Sequence, residues 1–372
     1  MGNPIPNTLF SRQSYNFGNG TVNTRPPLFD DPKPETTTSF ETGLDVWLFD
    51  NKFNFDITYY NSTLRNQFLY VSTANGESKP VNTGKIRNYG LEFSAGYRWN
   101  INHDWRWQTG FNFAWNDNRI LETYKTESGA PYIVEMGTNA FKIKYIEGGR
   151  YGDIYVNSFA RDENGHIKIN GAGDYENAVP VMESGKYETY VGNTTSPVTL
   201  GWNNTFSWKN FNLYFLIDGR IGGKVMSLTE PDLDLFGLSE RSAHDRLKGE
   251  RVTQNGKEYV LKELPDGSGN KVPVENYYTT IGAYPMEDHV YNATNLRMRD
   301  ISLSYNFSNL LGKNTGLTAQ FSIKNAFFIY KDSPIDPDIS VSAANGYSGI
   351  DCYSLPTTRS RSEEHTSELQ SR

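Results

Sequence analysis

Tyr89-Gly-Leu-Glu-Phe-Ser-Ala-Gly-Tyr-Arg-Trp99, a turn near Asn102-His103, and Trp105-Arg-Trp-Gln-Thr-Gly-Phe-Asn-Phe-Ala-Trp115 decide the fold. In the first half Tyr89, Leu91, Phe93, Ala95, Tyr97 and Trp99 alternate with Gly90, Glu92, Ser94, Gly96 and Arg98. In the second, Trp105, Trp107, Phe111, Phe113 and Trp115 alternate with Arg106, Gln108, Asn112 and Ala114. A strand sends successive side chains to opposite faces, so each half has one apolar, aromatic-ended face and one polar face. The tight turn makes the pair antiparallel.

Three more hairpins read the same way. Phe40–Phe49 turns at Asp50-Asn51-Lys52 into Phe53–Tyr60. Val198–Trp208 turns at Lys209-Asn210 into Phe211–Ile217, with Asn204 an odd polar member of an apolar face. Ile301–Phe307 passes through Ser308–Gly316 into Leu317–Ile329. Leu296 and Met298 are out of phase with Ile301 and Leu303, which predicts a bulge near Arg299. Longer connections separate these hairpins. Tight turns alternating with long loops are what a transmembrane β-barrel needs. The expected fold is therefore all-β: an antiparallel barrel, incomplete, with about eight strands of a larger one and long extracellular loops.

Composition agrees. Hydrophobic residues make up 37% and mean hydropathy is −0.63, and no run of about 18 apolar residues offers a transmembrane helix. Barrel strands escape that test because only alternate residues face lipid. Aromatics reach 14%, many at strand ends. Tyr59, Tyr97, Trp99, Trp105, Trp107, Trp115, Trp202, Trp208 and Tyr305 are the expected membrane-interface residues, since amphipathic rings settle at headgroup level. The net charge of −7 carries no basic footprint, so nucleic acid is not an expected partner. The single cysteine, Cys352, cannot form an internal disulfide. The same alternation would also suit a half-exposed sandwich strand, which keeps a secreted glycan-binding β-sandwich as an alternative.

Two loops are long enough to carry function. Glu122–Thr195 is expected to hold a hairpin, Asp153–Phe159 turning at Asp162–Gly165 into His166–Asn170. Gly222–Tyr291 is expected to hold a helix near Leu228–Leu247 and a hairpin, Glu250–Thr253 with Lys257–Leu264, turning at Gln254-Asn255-Gly256. Tyr151, Tyr155, Tyr175, Tyr187 and Tyr190 are candidate substrate contacts, because rings offer apolar faces with a polar handle; packing within the loop is their competing role. The sequence carries no catalytic or cofactor signature. His103, His166, His244 and His289 lack the spacing of a zinc site, and no phosphate loop, nucleophile elbow or dinucleotide fingerprint occurs. No enzyme, cofactor or metal is expected.

Several segments resemble SusC/RagA-type TonB-dependent transporters, in family order. They are Lys33–Asp45, Asn82–Glu92, Asp218-Gly-Arg-Ile-Gly-Gly223, Tyr291–Tyr305, Lys324–Tyr330 followed by Asp336-Pro337, and Leu355–Ser360. The resemblance implies an importer in the outer membrane of a Gram-negative, Bacteroidetes-type bacterium. It implies glycan or peptide fragments as cargo, energy passed by TonB, and a SusD-type surface lipoprotein as lid. A siderophore or cobalamin receptor is the alternative within that class. Met1 is not followed by a signal peptide, so residues 1–360 are expected to be the carboxy-terminal part of such a barrel. The tail 361–372 reads like translated sequencing adapter.

Overall fold

The structure, a computed structural model, describes residues 33–72, 78–126, 128–183, 185–283, 286–308, 315–340 and 348–369. Two compact units make up the chain: Met1–Arg98 with Gly110–Glu135 and Lys144–Tyr151, and Trp99–Thr109 with Met136–Ile143 and Gly152–Arg372.

The first unit carries antiparallel strands β1 (Thr36–Leu48), β2 (Phe53–Arg65), β3 (Lys85–Asn100) and the greater part of β4 (Trp105–Glu122), neighbours in that order. Leu44 stands opposite Ile57, and Ile57 opposite Phe93. Directly opposed residues share a face, so the expected apolar stripe runs across these strands, and the Phe93 and Phe111 rings meet at 6.4 Å. Asp45 faces Asp56 and Thr58 faces Glu92 on the other side. The expected turn at Asp50-Asn51-Lys52 is present, closed by Lys52 N donating to Phe49 O.

The second unit contains the opening residues of β4 and then β5 (Val198–Trp208), β6 (Phe211–Ile221), β7 (Asn295–Ser308), β8 (Thr315–Lys331) and β9 (Ser360–Leu369). Trp208 pairs with Phe211, so β5 and β6 turn in two residues, Lys209-Asn210, with Lys209 at φ 51°. Between β3 and β4, Asn102 Oδ1 accepts from the amides of Asp104 and Trp105, an Asx turn. Residues 309–314 of the turn expected from Ser308 to Gly316 lie outside the described residues, as do 1–32. The bulge expected near Arg299 is present: Leu216 pairs with Asp300 but Ile217 with Met298, and on the other side Lys324 and Phe327 pair with Asp300 and Met298. The skipped residue restores the phase, so Met298 rejoins the apolar face of Ile217.

Residues 360–369 are the last strand of this sheet among the described residues. They pair with β8 from Lys324 opposite Ser360 to Thr315 opposite Leu369. An unpaired strand edge accepts any extended backbone. The sequence Arg361-Ser-Glu-Glu-His-Thr-Ser-Glu368 has no alternating apolar face, unlike β1 to β8.

The two long loops depart furthest from the sequence reading. The turn at Asp162–Gly165 exists, with Gly165 N donating to Asp162 O, but it does not join the expected strands. Asp153–Val156 pairs instead with Phe141–Tyr145 on one side and Thr189–Asn193 on the other, while Ile169–Asn170 pairs with Val179–Pro180. Phe141, Ile143, Ile154 and Val156 are all fully buried, and this burial outweighs the local turn signal. The single helix expected near 228–247 is two, α1 (Thr229–Leu235) and α2 (Glu240–Lys248). They are parted at Gly237, and Ser239 caps α2 by accepting from Ser242 N. A further helix, α3 (Val274–Ala283), follows Pro273 with Glu275 in its first turn. Gly282 lets α3 reach α1: a Cβ there would stand 2.6 Å from Pro231 O. The hairpin Glu250–Gln254 with Lys257–Glu263 forms as expected over Asn255-Gly256, at φ 52° and 80°.

One buried cluster joins both loops. Phe159, Ile167 and Ala178 from the first pack with Leu264, Val272, Val274, Tyr277, Tyr278 and Ile281 from the second. Backbone is matched across the seam, with Ile167 N donating to Asp266 Oδ2 at 2.5 Å and Asn276 Nδ2 to Ala178 O at 3.0 Å. Within the second unit the two loops therefore form one packed module with a core of its own.

Candidate functional site

The wall strands supply the first element of the site. Phe206, Leu213, Leu303 and Phe321 stand opposite one another across β5, β6, β7 and β8. Leu213, Leu303 and Phe321 are 39%, 49% and 42% exposed. A continuous exposed apolar row demands an apolar partner. Aromatics continue it toward the tight turns: Trp105 stacks on Trp208 at 5.6 Å, Trp208 on Phe211 at 6.0 Å, and Phe211 meets Tyr305 edge-on at 4.5 Å. Tyr97 lies opposite Phe53 at the same end of its hairpin, and Trp99 is exposed there.

The other expected interface residues lie further along the strands. Trp202 is six residues from Trp208, about 20 Å at strand rise, and Trp115 meets Tyr89 edge-on at 5.7 Å. Tyr59 stands opposite Leu91. Trp107 stacks on Phe206 at 5.8 Å and donates its indole N–H to Asn204 Oδ1 at 3.0 Å. Asn204 is 1% exposed. Its odd polarity on an apolar face is thereby explained: an indole N–H away from water needs an acceptor. Trp202 solves the same problem by donating to Thr109 Oγ1 at 2.9 Å.

On the polar side, the bulged Arg299 donates to Asp218 Oδ2 at 2.7 Å and Asp338 Oδ2 at 2.9 Å. Arg297, 1% exposed, donates to Asp336 Oδ1 at 2.6 Å and Thr357 Oγ1 at 2.9 Å, with Phe328 against its guanidinium at 3.9 Å. These pairs fasten the segment 332–340 and Thr357 to the strand ends. Sequence reading missed them, because Asp336 lies 39 residues from Arg297 and no local spacing announces the pairing.

The structure sorts the candidate tyrosines. Lys142, Tyr155 and Tyr190 stand side by side on three neighbouring strands, on the face opposite buried Ile143, Ile154 and Val156. The Tyr155 and Tyr190 rings meet at 5.5 Å, and Tyr190, half exposed, donates to Asp153 Oδ1 at 3.3 Å. Tyr187 joins them: Lys142 Nζ lies 5.3 Å from its ring centre, and its hydroxyl donates to Asn139 O at 2.6 Å. Burial, aided by the charge of Asp153, pushes the Tyr155 phenol up, so it stays a neutral donor. Tyr175 is elsewhere, packed with Tyr259 at 6.0 Å, and Tyr151 stacks on Tyr145 at 4.5 Å within the first unit. Three of the five thus form one aromatic surface around a lysine.

An antiparallel wall with an exposed apolar face, tight turns and a loop module points to a membrane barrel. The family described as "TonB dependent receptor-like, beta-barrel" matches residues 2–326. The chain belongs to this family. A TonB-dependent receptor barrel lies in the outer membrane of Gram-negative bacteria. Among curated proteins, the receptor chain is 24% identical over 89% of its length to TonB-dependent receptor P3 of Formosa agariphila. It is 25% identical over 92% to TonB-dependent receptor SusC of Bacteroides thetaiotaomicron. It spans 34% and 33% of those proteins, about a third of their length. The solved RagAB peptide transporter superposes with a TM-score of 0.65 at 17% identity, covering 95% of this chain and 38% of that one. The SusC/RagA-type resemblance in the sequence is thus matched in fold.

Proposed function

We propose that this receptor barrel imports oligosaccharides across the outer membrane, with energy from TonB and with a SusD-type lipoprotein over the loop module. The observation that carries the reading is the aromatic surface of Tyr155, Tyr187 and Tyr190 beside Lys142, held on a rigid loop sheet. Sugar rings have apolar C–H faces that stack on aromatic rings, and their hydroxyls take up flanking polar groups. In this reading the apolar rows of β1 to β8 face lipid, the long loops face outside, and the four tight turns face the periplasm. The peptide named in the RagAB description is the neighbouring cargo class, and siderophore or cobalamin uptake the more distant one.

The test is uptake by cells carrying the full-length gene. Tyr155→Ala with Tyr190→Ala should cut uptake of labelled oligosaccharide by about tenfold, on the scale of ~1–2 kcal/mol for lost aromatic contact, with normal amounts of heat-modifiable barrel. Unchanged sugar uptake in that variant would remove the tyrosine surface from the path. Loss of peptide or siderophore uptake alone would replace the cargo class.

A further inference from the structure

A cavity of about 650 Å³ opens between β8, the segment 334–339, the segment 351–359 and the start of α1. Its size suits a sugar unit or two. We infer that this cavity is a subsite for the carboxylate of an acidic saccharide, bound by Lys331 and Arg359. The inference rests on the import reading above and specifies the chemistry of its cargo.

Three carboxylates line the cavity, and each already accepts a hydrogen bond from the protein, Asp336 from the Arg297 guanidinium and the other two from neutral hydroxyls. Asp336 accepts from Arg297 and Thr357. Asp351, 4% exposed, accepts from Ser227 Oγ at 2.9 Å. Glu230 accepts a hydrogen bond from the Tyr291 hydroxyl. The cations are in the opposite condition. Lys331 is exposed and donates to Pro334 O at 3.1 Å, beside the Phe328 ring at 5.4 Å. Arg359 is exposed, and neither it nor Lys331 has a carboxylate partner among the described residues. Buried Arg297 lines the same space with its Nε unpartnered. Formal charges balance at three of each sign, but the acids sit in the wall with donors aimed at them while two cations stand exposed. A solute entering the cavity meets the cations.

The rest of the lining selects a sugar. Thr229 and Ser354 offer hydroxyls, the groups that match sugar hydroxyls, and Phe328 and Ile339 give an apolar floor. A peptide carboxylate would carry amide groups that call for a strand edge, and the cavity presents side chains instead.

Binding of oligogalacturonate to the full-length protein in detergent, by calorimetry at low and high salt, is the test. The expected result is measurable binding that weakens with salt. It should fall about tenfold or more in the double variant Lys331→Ala with Arg359→Ala, and be retained in Lys331→Arg. The methyl-esterified oligomer, neutral and equal in length, should bind equally to native and double variant. Heat-modifiable mobility confirms that each variant is folded. Equal binding of acid and ester to the native protein overturns the inference, as does native-like binding by the double variant. Tighter binding of an acidic tripeptide reassigns the subsite to peptides and equally overturns it. If neutral oligosaccharides are still imported while the acid gains nothing from the cations, only this inference falls. If no saccharide is imported, the import reading falls with it.

Discussion

Asn204 was unreadable as a single letter in an apolar row, and its contact with Trp107 gives it a role. The Asn204 amide is buried, and its oxygen accepts the indole N–H at 3.0 Å. Asn204→Leu should therefore destabilise the barrel despite adding apolar surface to an apolar face. The expected cost is about 1–3 kcal/mol, that of an orphaned buried donor. Urea unfolding in lipid vesicles measures it, and a stabilised variant would refute the role. Position matters just as much in β3. Phe93 shares a face with Ile57 and Phe111, whereas neighbouring Glu92 lies opposite Thr58. Phe93→Arg should cost roughly 2–4 kcal/mol near the membrane midplane, and Glu92→Arg far less. Equal effects on folding into vesicles would reverse the assignment of faces.

At the scale of elements, hairpins were legible and their surroundings were not. Each wall strand announces itself by period-two alternation, and each short turn by residues such as Lys209-Asn210 or Asn255-Gly256. The bulge at Arg299 was legible too, because a phase break in an alternating strand has few other causes. Strand partners within the long loops were hidden. Asp153–Val156 lies near a genuine turn, yet its partners are chosen by the burial of Phe141, Ile143 and Ile154. Topology can be checked directly at this scale. A cysteine replacing Gly165, a turn residue with open space around it, should react with an impermeant reagent on intact cells. A cysteine replacing Asn51, in a tight turn, should be protected until the outer membrane is breached. The opposite pattern would invert the barrel.

For the whole molecule, the loop module's stability should depend on pH through its buried acids. Burial alone would raise the carboxyl of Asp234, but hydrogen bonds from His289, Arg241 and Ser239 outweigh it and hold it below its ordinary range. Asp245 is likewise lowered: against its burial stand hydrogen bonds from Lys262 and the Tyr278 hydroxyl. A depressed folded-state value means the unfolded chain takes up protons first as pH falls. The stabilisation is then complete above about pH 4, the unfolded range, and is lost as pH drops through the folded values. Hydrogen exchange over residues 229–291 should quicken, beyond the intrinsic rate change, as pH falls toward ~3. Exchange that tracks only the intrinsic rate would show that these acids do not hold the module together. By itself the sequence determined the wall: alternation, aromatic ends and turn chemistry are local properties, read within a dozen residues, and they sufficed for strand identity, face and barrel class. Only the tertiary structure decided the module, the Arg297–Asp336 and Arg299–Asp338 fastenings, and which of five tyrosines share a surface. Those depend on contacts between segments tens of residues apart, where burial and charge pairing choose among many partners that local pattern leaves equivalent.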